Sequence, residues 1–202
     1  MDKKVLIWLI VFFLVLAWSA IEPADRVTWW LEVVPAIAGL VILIMTRRRF
    51  PLTGLVYFLI LVHAIILMVG GHYTYAEVPI GDWLRELSGG DRNNYDKLGH
   101  LAQGFIPAMI AREIMIRNSV VQAREWLTFL VVCIVLAISA LYELVEWWAA
   151  LVSAEAADSF LGTQGYVWDT QSDMMWALSG AILALLTLSK LHDRQIRSLA
   201  VT

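Results

Sequence analysis

The chain has 202 residues, of which 60% are hydrophobic and 16% are charged, and its mean hydropathy is +0.70. Soluble domains are about half apolar and roughly a quarter charged, so this composition excludes an ordinary soluble domain and indicates a membrane protein. The formal net charge is −3, and no nucleic-acid partner is expected. The single cysteine, Cys133, lies in an apolar run, which excludes a disulfide framework and a cysteine metal cluster.

Six apolar windows are long enough to be membrane-spanning helices, which need about 20 predominantly apolar residues. They cover approximately residues 4–21, 29–46, 51–70, 97–116, 125–151 and 173–191. The apolar run of the first window, Val5 to Ile21, follows Lys3 and Lys4, as the apolar part of a signal peptide follows basic residues, but it is long for that part and has no small-x-small cleavage site. We expect a retained helix there, and hence an all-α fold: one polytopic domain, a six-helix transmembrane bundle.

Polar residues make the fourth window the least apolar of the six. Gln103, Arg112 and Glu113 interrupt it. The last two are adjacent, and we expect them to form an interfacial charge pair.

The basic residues indicate how the helices are oriented. Most of them fall on one side of the predicted bundle, and cytoplasmic loops carry the excess of Lys and Arg. We therefore expect both termini to be cytoplasmic in a bacterial inner membrane. The residues on that side are Lys3, Lys4, Arg47, Arg48, Arg49, Arg117, Arg124, Lys190, Arg194 and Arg197.

Three pairs of polar side chains lie at the outer ends of the last three windows. The members of each pair are three or four residues apart, so they share a helix face. Small residues continue these faces, as they do where membrane helices pack closely, and we expect the faces to point into the bundle. The pairs are Asp96 with His100, Glu143 with Glu146, and Asp169 with Asp173.

The pairs differ in how well a purely structural role explains them. Acidic residues at a helix N-terminus are favoured by the macrodipole and can cap the helix, which would account for Asp96, Asp169 and Asp173. Glu143 and Glu146 lie near a helix C-terminus, where the dipole disfavours anions. Charged groups in a span are costly and usually have a partner or a function, so this pair favours a functional site.

Three further residues are weaker candidates on the same outer half of the protein. They are Glu32, His63 and His72.

Three runs of the sequence resemble the YjdF-type family of bacterial inner-membrane proteins, which has no established activity. They are NYDKLGHLAQGF at 94–105, ALYELVEWW at 140–148 and LGTQGYVWDTQSDM at 161–174. This resemblance covers nearly the whole chain and implies fold and location.

A fainter resemblance is to VanZ-like membrane proteins, which share an Asp-Lys-x-x-His opening on one helix, a Glu near a helix end and an Asp before a small-residue helix. The matching positions are Asp96, Lys97, His100, Glu143 and Asp173. VanZ-like proteins are associated with the cell envelope, so this likeness implies envelope lipids or lipid-linked precursors.

The leading hypothesis is an outward-facing acidic and histidine site that holds a divalent metal and acts on a lipid or lipid-linked substrate. Carboxylates with an imidazole suit Zn²⁺, Mn²⁺ or Fe, and a bound metal can activate water for hydrolysis. Glu143 or Glu146 would be the general base, and Lys97 would stabilise phosphate charge. The candidate ligands are Asp96, His100, Asp169 and Asp173.

Two alternatives use the same residues. A transporter would relay protons or bind a cation there, but the windows that carry Glu143 and Asp173 are almost wholly apolar below their outer third. A structural clasp would join the helices without turnover. Membrane lipids are the expected partners under every hypothesis.

Overall fold

The computed structural model describes residues 2–88, 92–152 and 167–199, and the regular structure in these ranges is entirely helical. Part of the third sequence run, residues 161–166, lies outside the described ranges. The helices are α1 (Lys3–Ser19), α2 (Arg26–Thr46), α3 (Gly54–Tyr73), α4 (Pro79–Ser88), α5 (Tyr95–Arg117), α6 (Arg124–Val152) and α7 (Asp169–Leu199), and a 3₁₀ turn covers Tyr75–Glu77.

Side-chain caps mark the starts of α2 and α3. The backbone N–H of Thr28 donates to Asp25 Oδ1 (2.7 Å) at the start of α2, and this bond lowers the pKa of the Asp25 carboxyl. At the start of α3 the backbone N–H of Val56 donates to Thr53 Oγ1 (3.4 Å). Each cap satisfies a backbone donor that has no partner within its own helix.

The all-helical membrane bundle expected from the sequence is confirmed, but its count of six spans is not. Among the described residues, four helices are long and apolar enough to cross a membrane: α2, α3, α6 over Arg124–Trp148, and α7. Helix α1 has 17 residues and falls just short in length. Helix α5 has 23 residues, and the polar residues that interrupt its window make it less apolar.

Two hydrophobic clusters organise the bundle. One joins α1, α2 and α3 around Phe12, Val33 and Met68, which are almost fully buried. The other joins α3, α5, α6 and α7, with Met109 and Val131 fully buried in it. Helix α3 contributes to both clusters and connects the two halves of the molecule.

Helices α5 and α7 make the closest packing in the described part of the bundle. A Cβ atom built at Gly104 would overlap the backbone of Ala177, and one built at Gly180 would lie 2.8 Å from the backbone nitrogen of Phe105. Small residues allow such close backbone approach in membrane helices. The predicted small-residue face of α7 therefore points into the bundle, as expected.

A buried network at the basic end of the bundle, which we call the inner network, corrects the predicted charge pair. Arg112 and Glu113 do not pair with each other. Glu113 accepts hydrogen bonds from Thr53 Oγ1 (2.7 Å) and from Arg117 (3.0 Å), and its Oε2 lies 2.9 Å from His192 Nε2. Adjacent helix residues point in different directions, which is why each of the two finds its own partners.

The contacts of the inner network also indicate which tautomer His192 adopts. Arg112 lies 3.1 Å from His192 Nδ1 and donates to Asp193 Oδ1 at 2.5 Å. A guanidinium can only donate, so Nδ1 accepts and Nε2–H donates to Glu113. With this tautomer His192 bridges two residues of α5.

Candidate functional site

At the opposite end of α5 and α7, a lysine joins carboxylates from both helices. Lys97 Nζ lies 2.5 Å from Asp173 Oδ1, 2.9 Å from Asp169 Oδ1 and 3.4 Å from Asp96 Oδ2. Arg92 adds a second cation, 3.2 Å from Asp169 Oδ1. Two of the three predicted pairs therefore come together, and they meet around Lys97.

His100 lies on the other side of these carboxylates. Its Nε2 is 3.3 Å from Asp96 Oδ1 and 3.7 Å from Asp173 Oδ2, whereas Lys97 contacts the other oxygen of each carboxylate. Its Nδ1 lies 3.1 Å from Gln103 Oε1. Because an amide oxygen can only accept, Nδ1 carries a proton.

Nε2 of His100 therefore faces two carboxylate oxygens and needs a positive charge between itself and them. A bare nitrogen lone pair would be repelled by both oxygens, so either a proton on Nε2 or a bound cation must occupy this position. Asp96, His100 and Asp173 can each direct one ligand atom to a common point, with these atoms within 4.8 Å of one another. All three residues are buried.

Two buried carboxylate oxygens of the site make no hydrogen bond to any other residue that the structure describes. They are Asp96 Oδ2 and Glu143 Oε1. Their nearest cationic atoms are Lys97 Nζ at 3.4 Å and His100 Nδ1 at 3.9 Å, respectively. Buried polar atoms in native proteins nearly always have a partner, so these two are typical of a site that binds something further.

A cavity of about 340 Å³ lies beside His100, bounded by α2, α3, α5 and α6. Helix α2 makes few direct contacts with α5 and α6, and the cavity occupies the cleft between them. Its polar lining includes Glu32, Asp96, His100, Gln103, Tyr142 and Glu146, and its deeper lining includes Pro35, His63 and Pro107.

Glu32 lies across the cavity from the main cluster. It is 3% exposed, and Tyr142 Oη donates to its Oε2 at 3.2 Å. Tyr75, in the 3₁₀ turn, also lines the cavity, and burial raises the pKa of its hydroxyl well above the usual range. The Tyr75 hydroxyl therefore stays protonated and donates a hydrogen bond to the Glu32 carboxylate.

The structure separates the other candidates into residues that reach the cavity and residues that do not. Glu146 and His63 line the cavity, whereas Glu143 faces the Gln103 side of His100. Asp169 belongs to the ion pairs of Lys97 and Arg92 and is not part of the Asp96, His100 and Asp173 group.

His72 lies apart from the cluster. The centroid of its ring lies 4.4 Å from the centroid of the Trp18 ring, and its Nδ1 is 3.2 Å from the carbonyl oxygen of Ser19. Both neighbours belong to α1, so this histidine joins α3 to α1.

Sequence reasoning missed several residues that complete the site. Arg92, Tyr75 and Tyr142 were not candidates, although Tyr142 directly precedes Glu143. Gln103 lies three residues after His100 and hence on the same helix face, but it is not among the residues predicted for the site. That spacing was the one signal in the sequence that could have identified it.

The fold and the site together define an integral membrane protein that carries a buried acidic and histidine site at one end of its helices. The chain belongs to the family described as "Predicted membrane protein (DUF2238)", whose model matches residues 4–194. It is 54% identical over 184 residues to "Inner membrane protein YjdF" of Escherichia coli (strain K12), and the aligned region covers 91% of this chain and 88% of that protein. No solved structure matches the chain. The chain is therefore an integral inner-membrane protein of the YjdF and DUF2238 family.

Proposed function

We propose that the protein binds a divalent metal ion through Asp96, His100 and Asp173 and uses it on a lipid or lipid-linked substrate at the outer side of the inner membrane. The observation that carries this proposal is that His100 Nε2 faces carboxylate oxygens from α5 and α7 while Gln103 holds the opposite ring nitrogen. Metal-bound histidines typically donate their other N–H to an oxygen in this way.

The donor set suits the proposed metal. Two carboxylates and one imidazole are ligands that Zn²⁺, Mn²⁺ and Fe accept, and three protein ligands leave a position for water or substrate. The ion would lie on the side of Asp173 away from Lys97, because Lys97 contacts Oδ1 and His100 faces Oδ2. A bound divalent ion would supply an acidified water or a polarised phosphate oxygen.

The residues around this position support distinct roles. Glu146 lines the cavity and Glu143 does not, so Glu146 is better placed to take a proton from water in the cavity. Lys97 is saturated by carboxylates and would hold Asp173 in place instead of contacting a phosphate. The lipid or lipid-linked class is supported by the position of the cavity between membrane helices and by the resemblance to VanZ-like proteins.

A non-catalytic clasp is the second candidate, and the contacts of Lys97 favour it. The Lys97 ammonium already forms ion pairs with carboxylates on α5 and α7 and joins the two helices. A transporter has less support, because the lining below His63 and Pro35 is mainly apolar and offers few further polar groups for an ion or proton.

Metal content tests the proposal. We expect elemental analysis of the detergent-purified protein, prepared without chelator, to find stoichiometric metal in the wild type and little in His100→Ala and Asp173→Asn. Glu86→Gln is the matched control, because Glu86 is an exposed acid on α4 and lies outside the cluster. Absence of metal from the wild type would reject the metal site and favour the clasp.

A further inference from the structure

A second, mainly apolar groove lies between α2, α3 and α5, on the side of the bundle that carries the inner network. It has a volume of about 490 Å³ and shares Pro35, His63 and Leu67 with the cavity described above. From there it follows α2 to Thr46 and α5 to Asn118. Its walls are formed mainly by aliphatic side chains, among them Leu43, Ile60 and Ile110.

The length of the groove matches one leaflet of a bilayer. The rise along α2 from Pro35 to Thr46 is about 16 Å, and half of the hydrocarbon core of a membrane is about 15 Å. Ile42 and Ile114 line the groove and are 58% and 43% exposed. Because α2 and α5 make few direct contacts, the groove opens sideways between them toward the lipid.

The end of the groove carries the charge that an anionic head group would need. Arg47, Arg48 and Arg49 follow α2 directly and are exposed, and none of them forms an ion pair with another described residue. Asn118 adds an amide at the same end. Basic residues beside the end of a membrane helix attract anionic lipids.

Gly39 keeps the middle of the groove open. No atom of another described helix lies within 4 Å of the position that a Cβ would occupy there, so helix packing does not require a glycine. A glycine inside a helix is less favourable than alanine. The open space beside Gly39 therefore faces the groove and not a neighbouring helix.

We propose that this groove binds one acyl chain of an anionic glycerophospholipid of the cytoplasmic leaflet, with the phosphate at Arg47, Arg48 and Arg49. The acyl chain would end near His63 and Leu67, where it closes the inner end of the polar cavity. A long isoprenoid chain would extend beyond a groove of this length. This lipid site is distinct from the proposed metal site and does not depend on it.

Photo-crosslinking tests the lipid site in vesicles of phosphatidylethanolamine and phosphatidylglycerol. The probe is a phosphatidylglycerol with a diazirine in its acyl chain, and labelled residues are identified by mass spectrometry of peptides. We expect labelling of groove residues such as Leu43 and Ile110, reduced at least roughly five-fold with a matched phosphatidylcholine probe because the arginines no longer meet an anionic head group. Leu186, which is 79% exposed on α7, serves as an internal standard.

Gly39→Phe should fill the groove and reduce labelling of Leu43 and Ile110 several-fold, while Gly39→Ala should retain most of this labelling. Val41→Phe is the matched control, because Val41 is 48% exposed on the same helix and does not line the groove. Unchanged labelling of the groove in Gly39→Phe, with equal labelling of Leu186, would overturn the proposal. Equal labelling by the two probes, or labelling by a diazirine isoprenoid phosphate alone, would overturn the assignment to an anionic phospholipid.

Discussion

Single residues in this protein have roles that depend on which atom faces which neighbour. Lys97 and His100 contact the same two aspartates from opposite sides and use different oxygens. The sequence could predict that these residues share one end of the bundle, because the three-to-four spacing and the positions of the spans determine it. It could not predict that the Lys97 ammonium would already pair with three carboxylates, because the choice of partner depends on side-chain geometry across two helices.

Loss of the Lys97 charge should destabilise the protein strongly. Lys97→Gln leaves the carboxylates of Asp96, Asp169 and Asp173 facing one another, and removal of one partner from a buried ion pair costs about 3–5 kcal/mol. Thermal unfolding in detergent should show a marked loss of stability that Asp173→Asn partly restores in the double variant. The control Lys190→Gln removes an exposed lysine from α7 and should change stability little, and an equal effect of both variants would contradict the assigned role.

His192 should matter for stability although it lies outside the candidate site. His192→Ala removes one buried partner from both Glu113 and Arg112, which keep Thr53 and Asp193 respectively, and a hydrogen bond to a charged group contributes about 1.5–3 kcal/mol. We expect a lower free energy of unfolding and unchanged metal content. A variant that unfolds at the wild-type temperature would show that the inner network contributes nothing to stability.

At the level of helices, α5 and α7 run in the same direction and are joined at both ends by polar groups. Lys97 with Asp173 joins them at one end, and Arg112 with Asp193 joins them at the other. The small-residue face of α7 could be predicted from its spacing. The inner network could not, because His192 and Asp193 follow the last apolar window and nothing in a single sequence aligns them with α5.

Because α5 and α7 pack closely, a larger side chain between them should destabilise the protein. Gly104→Val would place its side chain against the backbone of Ala177, which cannot move as a flexible side chain can, and overpacking of this kind costs about 1–3 kcal/mol or more. Thermal unfolding should show the loss. Gly39→Ala is the matched control, because its new methyl group meets open space, and a loss of stability there as large as in Gly104→Val would contradict the explanation.

For the molecule as a whole, composition was sufficient to predict a helical membrane protein, and apolar windows located most of its helices. Composition and apolar windows do not determine the number of spans. Helix α1 is short, and α5 carries charged residues of the candidate site and of the inner network. Length and hydropathy alone therefore do not classify either helix as a span. Helix α5 carries polar residues of the candidate site at one end and of the inner network at the other, and for this reason it is a weak span in the sequence and a central helix of the bundle.

The proposed orientation places both termini in the cytoplasm and the candidate site outside. We expect an impermeant maleimide to label Glu86→Cys in intact spheroplasts, in a Cys133→Ser background, because α4 lies on the side of the candidate site. Arg48→Cys should be labelled only after permeabilisation. The reverse pattern would show that the cavity faces the cytoplasm.

The central claim is that Asp96, His100 and Asp173 hold a metal ion, and the most direct test is the effect of Zn²⁺ on stability after the protein has been stripped with a chelator. A ligand that binds only the folded state stabilises it by about 2.7 kcal/mol at a concentration 100-fold above its Kd. Thermal unfolding should therefore show that Zn²⁺ stabilises the wild type but not His100→Ala. Equal stability of the wild type with and without Zn²⁺ would contradict the metal site.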